Sequence, residues 1–271
     1  MANISIGKAW EETLPFVARE ASLLFPVALL FIALPTVILG EMTPPEFQAW
    51  LNAPKADNIP SMPAGFGLAM VLTILLIWFG SLAVFALALR PGISVGEALR
   101  LSFARLPVLI GTSLLAGAGV VGIVLIAAIV AGVLSLASPQ GGAALGALLA
   151  GVAAGLVFFA GVRLILLNPV VIDQQLGVIA SLRHAWASTR GHFWRLLGFL
   201  IIVMLLSSVV ASVAQLVVGL IGGLVAGPDG ARLGGAIAGA AMSAVIQVYM
   251  LVMIARLYRQ TQQQDVADVF R

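Results

Sequence analysis

Residues 163–199 read RLILLNPVVIDQQLGVIASLRHAWASTRGHFWRLLGF. An apolar run closes at Asn168-Pro169. A mixed stretch then carries Arg183, His184, Arg190 and His192, and a second apolar run opens after Phe193. Two long apolar segments joined through a short cationic helix are the pattern of a chain that leaves a bilayer, runs along its surface and re-enters it. The rest of the sequence agrees. The chain has 271 residues, of which 61% are apolar and 9% are charged. A soluble domain carries about a quarter charged residues, so this chain cannot cover a water-facing surface of its size. Several apolar runs exceed about 20 residues, the length that crosses roughly 30 Å of hydrocarbon. The fold class expected is an all-α integral membrane protein.

Six spans are expected, at about 22–40, 65–89, 108–136, 143–167, 194–224 and 233–257. They group into three hairpins, with tight turns at Ser138–Gly142 and Gly227–Gly230 and a polar, proline-rich loop at 41–64. Glycine and proline at these positions are the usual turn formers. Pro26 and Pro35 interrupt the first span and Pro15 lies upstream of it, each a place where a helix bends or restarts. An amphipathic stretch precedes each hairpin, near 5–14, 94–106 and 176–190. In the first, Ile6, Trp10, Leu14 and Val17 share one helical face, and Ser5 is placed to cap it. Such helices lie flat in the headgroup region, with one face toward acyl chains.

The three stretches align as SIGKAWEETL from Ser5, SVGEALRLSF from Ser94 and VIASLRHAW from Val178. Trp10, Leu99 and Leu182 then correspond, 89 and 83 residues apart. This reads as a threefold internal repeat, with units about 5–90, 94–168 and 176–258 in a single domain 1–258, followed by a polar tail 259–271.

Lys8, Arg19, Arg90, Arg100, Arg105, Arg163, Arg183, Arg190, Arg195, Arg256, Arg259 and Arg271 fall on one side of this topology, twelve against Lys55 and Arg232 on the other. Cations mark the cytoplasmic side, so both termini are expected there. The net charge is only +3 and the cations flank spans, so the high isoelectric point does not point to nucleic acid. The sequence holds no cysteine, which excludes disulfides and thiolate chemistry. The first twenty residues contain Glu11, Glu12 and Glu20 and do not read as a removable signal peptide.

Few residues inside the spans carry chemistry. Arg163 stands about six residues inside the end of the fourth span, close enough to snorkel to the headgroups. Asp173, the only acid between Glu97 and Asp229, follows Pro169 and is expected to pair with Arg163, as a structural clamp or around a lipid phosphate. Arg183, Arg190 and Arg195, with Trp186 and Trp194, form a membrane-surface cluster suited to anionic headgroups. His184 and His192 lack the company a metal site requires and read as interfacial residues. Gln215 and Gln247, inside the fifth and sixth spans, are expected to hydrogen-bond between helices, the alternative being a polar cavity for a solute. Four GxxxG pairs, 142/146, 151/155, 219/223 and 235/239, predict close helix packing. No catalytic residue, metal or cofactor is expected.

Ser94–Leu114 and, more closely, Arg163–Phe199 resemble the glycerophosphoryl diester phosphodiesterase membrane domain proteins and the related YciC-like inner-membrane proteins of bacteria. The carrying residues are Arg163, Pro169, Asp173, Ala180-Ser181-Leu182 and Gly191-His192-Phe193-Trp194. That family often has glutamate where Asp173 stands. The resemblance implies a membrane module without a phosphodiesterase domain, located in the bacterial inner membrane. The function expected is a non-catalytic scaffold or lipid-associated accessory protein; the alternative is a transporter for a small or lipidic solute. Expected partners are anionic lipids of the cytoplasmic leaflet, with a protein partner or second copy left open and no nucleic acid.

Overall fold

A computed structural model describes residues 5–53, 60–137 and 139–269. These are all-helical: α1 (Ile6–Ala28), a π-helical turn (Leu29–Ala33), α2 (Leu34–Met42), α3 (Pro45–Asn52), α4 (Ala64–Leu89), α5 (Val95–Ala137), α6 (Pro139–Arg163), α7 (Leu167–Asp173), α8 (Val178–Ser188) and α9 (Phe193–Val269). Among the described residues, five helical runs are long and apolar enough to cross a membrane: Ile6–Met42, Ala64–Leu89, Val95–Val133, Ala144–Asp173 and Phe193–Gln263. Large side chains along them point outward, such as Leu125, Ile126 and Ile129 on α5 and Leu205, Leu216 and Leu224 on α9. Bared to water, each would forgo about 1.5–3 kcal/mol of burial; facing acyl chains it forgoes nothing. The molecule is a membrane-type helical protein.

The fifth run is not one straight helix. Ala226 (φ −131°) and Gly227 (φ 67°) leave helical geometry, and Pro228 restarts the helix with the fixed φ that suits a first turn. Only glycine reaches the Gly227 conformation without strain. Beyond it the chain returns along itself. A Cβ on Gly222 or on Gly230 would collide with the other's carbonyl, and one on Gly235 would lie 3.2 Å from the Gln215 carbonyl. Gly219 and Gly235, expected to pack helices closely, thus do so within the chain. At the other expected turn, Ser138 lies outside the described residues and Pro139 onward is already helical. The tail from Arg259 is not a separate element, because α9 continues through it.

The chain divides into two compact units, one of residues 1–104 with 201–271 and the other of residues 105–200. This division does not follow the three expected repeat units. In the first unit the C-terminal part of α4, Gly80–Leu89, is buried on every face. Gly80 admits the π turn, since a Cβ there would meet the Phe31 Cβ at 2.7 Å, and Phe31 packs edge-on against Phe79 with ring centres 5.0 Å apart. The two ends of the described chain meet. Gln260 accepts from the Ser5 N–H at 2.9 Å and returns its amide to the Ser5 carbonyl at 3.3 Å. The Arg256 guanidinium lies 4.5 Å from the Phe16 ring centre, and Arg259 donates to the Leu89 carbonyl.

The amphipathic stretches depart from expectation in two ways. The first two are not separate helices: α1 runs through Pro15, and α5 runs through Pro107 into its apolar half. Ser5 caps α1 as expected, accepting from the Lys8 N–H. Ser94 and Glu97 form a reciprocal capping box at α5, with bonds of 2.8 and 3.2 Å. Only α8 stands alone, ended by Thr189 and by Gly191 at φ 79°. The buried faces also differ from the most apolar ones. Trp10 and Leu14 are exposed, while Ala9 and Thr13 are wholly buried. The corresponding positions in the other two stretches, Ala98 with Ser102 and Ser181 with Ala185, are wholly buried too. Small residues allow close helix approach, and the large apolar ones are free to face lipid.

Candidate functional site

Two arrangements gather polar groups against long apolar helices, one in each unit. The first is built on Arg163, the last residue of α6. The ion pair expected with Asp173 is not formed. Arg163 Nη1 reaches Thr189 Oγ1 at 3.3 Å and the Trp186 carbonyl at 3.5 Å. Its guanidinium lies 5.6 Å from the Phe159 ring centre and 5.1 Å from that of Trp186. The Thr189 hydroxyl closes the loop with the Arg163 carbonyl at 3.0 Å. The counter-charge is therefore the carbonyl end of α8, where a helix concentrates partial negative charge. Asp173 ends α7, and its carboxylate accepts from Gln174 at 3.2 Å. Arg163 thus meets the C-terminal end of α8, which α7 and the turns on either side of it bring back to the end of α6.

Of the membrane-surface cluster, Arg183, Arg190, Arg195 and Trp194 are exposed. Trp186 is half committed inward, standing edge-on to Phe159 with centres 5.9 Å apart. His192 Nδ1 lies 3.0 Å from the Arg190 carbonyl, and His184 is also engaged.

The second arrangement is a cleft of about 510 Å³ in the first unit, between the π turn with α2 and the returning halves of α9. Gln215 and Gln247 both line it, together with Thr36, Glu41, Gln48, Arg232 and Ser243. The two glutamines do not bond each other, and neither side chain has a hydrogen-bond partner among the described residues. The interhelical bond expected of them is not formed, and both side chains line the cleft instead. Small residues make the room: Ala211, Ala236, Gly239 and Ala240 form much of the α9 wall. At one end Arg232 Nη1 meets Glu41 Oε2 at 2.6 Å.

The π turn shapes the opposite wall, where Ile32 and Ala33 line the cleft. Pro35 has no N–H to return to Phe31, so the ladder cannot close in α-register there. The Leu34 N–H instead reaches back to the Leu29 carbonyl, and the Thr36 hydroxyl donates to Ile32 O at 2.6 Å. Single π turns are frequent where a helix serves a site. Sequence reasoning found Gln215, Gln247 and the prolines. It missed Glu41 and Arg232, which sit at span ends where isolated charges look like ordinary boundary residues. Their available signal was that Arg232 is one of only two cations on its side of the expected topology.

Among the described residues, fold and site together define an all-helical, membrane-type protein with a cleft between long apolar helices that carries two glutamines and an ion pair. The chain belongs to the family described as a domain of unknown function, DUF7847, whose model matches residues 4–261. No match was found among curated proteins or among solved structures.

Proposed function

We propose that the chain is a non-enzymatic, six-span protein of the bacterial inner membrane that admits a small polar or amphipathic solute into the cleft of its first unit, in the manner of a permease. The observation that carries this reading is the position of the unbonded glutamines. Gln215 precedes the Ala226 break by eleven residues, or roughly 16 Å at 1.5 Å per residue, near the middle of a bilayer about 30 Å thick. An amide held there without a partner costs a few kcal/mol, and water or a polar solute in the cleft removes that cost. From Arg232 to Gln247 is fifteen residues, so the cleft extends roughly 22 Å inward from its charged end. Glu41 and Arg232 neutralise each other, which leaves amides and hydroxyls, groups suited to binding rather than to proton abstraction.

Counting α9 as two spans about the Gly227 break makes six. The meeting of Ser5 with Gln260 favours termini on one side, and the cation distribution favours the cytoplasm. The shared burial at residues 9/13, 98/102 and 181/185 supports a threefold repeat. The inner-membrane location rests on the resemblance to the phosphodiesterase membrane-domain and YciC-like proteins. The competing scaffold reading draws on Arg190, Arg195 and Trp194, which remain exposed for anionic lipid or a protein partner.

Because the sequence has no cysteine, single thiols test the cleft cleanly. Ser243→Cys, at an exposed position of the lining, should react with a membrane-impermeant thiol reagent in intact cells. Val248→Cys, at a wholly buried position outside the lining, should not. Equal protection of both would mean that the cleft is dry and the permease reading wrong.

A further inference from the structure

The second unit contains a cavity of opposite character. About 650 Å³ lies between α5, α6 and α8, walled on the α5 side by Gly117 and Gly119 and on the α6 side by Gly161. A Cβ added at any of these three glycines would meet nothing within 4 Å, so the missing side chains are what opens the trough. A second cavity of about 380 Å³ shares Val120 and Val157 with the first and continues along the same two helices to Ala131. From Leu115 to Ala131 is sixteen residues, or roughly 24 Å at 1.5 Å per residue. Half of a hydrocarbon core is about 15 Å. Taken end to end, the two adjoining cavities form a trough long enough to take an acyl chain of one leaflet over its full length.

The trough is apolar except at one end, where Arg183 and Trp186 of α8 line it. Trp186 is held in place, since its carbonyl accepts from Arg163 and its ring packs against Phe159. Arg183 is exposed and makes no ion pair or hydrogen bond among the described residues. The surrounding charge is positive, with Arg190 and Arg195 close in sequence and Asp173 the only acid between Glu97 and Asp229. A cation beside an indole at the mouth of an acyl-sized trough matches the layout of a phospholipid, with its anionic phosphate at the surface and its chain inside.

We propose that this trough is a binding site for one anionic phospholipid, its phosphate on Arg183 and one acyl chain between α5 and α6. The inference uses the cytoplasmic placement of α8 but not the solute cleft, and it stands or falls separately from the permease reading.

The test is native mass spectrometry of the full chain released from detergent, after incubation with phosphatidylglycerol or with phosphatidylcholine of identical acyl chains. The wild type should retain one phosphatidylglycerol in preference to phosphatidylcholine. Arg183→Gln should reduce that preference about fivefold, the factor that about 1 kcal/mol for one arginine near an anionic surface represents. Gly119→Leu with Gly161→Leu fills the trough and should abolish retention of both lipids. A phospholipid with a diazirine in its acyl chain should crosslink the unsubstituted protein at residues 115–123, a readout that does not depend on the filled variant folding. Crosslinks elsewhere, or retention in the filled variant, would overturn the proposal. So would an equal effect of Arg190→Gln, which would mean diffuse surface charge, or a dimer lost on filling the trough, which would mean that a second copy covers it.

Discussion

Replacing Arg163 tests which group the half-buried guanidinium answers to. Arg163→Ala removes a charged donor from Thr189 Oγ1 and from the Trp186 carbonyl, and a cation from between two aromatic rings. A hydrogen bond to a charged group contributes about 1.5–3 kcal/mol, but at 3.3 and 3.5 Å these two belong at the low end. A cation–π contact adds about 0.5–2 kcal/mol, and a cation at a helix C-terminus about 0.3–1 kcal/mol. These overlap because the same charge makes all of them, so the expected loss is about 2–4 kcal/mol. Thr189→Val keeps the side-chain shape and removes the hydroxyl, at an expected cost of about 1 kcal/mol. In reversible unfolding in mixed micelles, the double variant should lose about 1 kcal/mol less than the sum, since residues in one network couple. Asp173→Ala combined with Arg163→Ala should be additive within about 0.5 kcal/mol. Coupling of Arg163 to Asp173 with additivity toward Thr189 would refute the assignment and restore the ion pair that the sequence suggests.

Gly222→Ala drives a methyl group into the Gly230 carbonyl and should cost about 1–3 kcal/mol of overpacking, whereas Gly117→Ala, in open space on a helix, should be neutral or stabilising by up to about 1 kcal/mol; thermal unfolding of the two variants in detergent compares them directly, and equal destabilisation would sink the hairpin packing. Glu41→Gln breaks the ion pair at the end of the cleft and should speed labelling of Ser243→Cys severalfold, an outcome read from reaction rates in intact cells; an unchanged rate would show that the pair does not restrict entry. Cysteines placed at Ser61 and Gln262 should react from opposite sides of the membrane, and labelling of both from outside would remove the proposed orientation.

The amino-acid sequence by itself determined the class of this protein. Charge is so scarce and the apolar runs are so long that no arrangement in water is stable, and that argument needs no knowledge of which faces meet. Positions of breaks were equally local: Gly227-Pro228 ends one helix and starts another whatever surrounds it, and Ser94 with Glu97 caps α5 through neighbours three residues apart. Pairings were not local. Asp173 was the nearest acid along the chain to Arg163, yet the C-terminus of α8 supplies the counter-charge, because a helix end reached through a turn is invisible to a search for charged residues. Nor did hydropathy reveal the buried faces. In a bilayer Trp10, Leu14 and Phe103 lose nothing by facing outward, so the packed positions fall to Ala9, Thr13, Ala98 and Ser102, whose small size matters more than their polarity. The same reason hid the cleft. Gln215 and Gln247 are plain in the sequence, but whether two amides bond each other or line a shared space depends on the separation of helices, and that was decided by glycine contacts between residues 215–223 and 230–239 and by a π turn that only the tertiary structure displays.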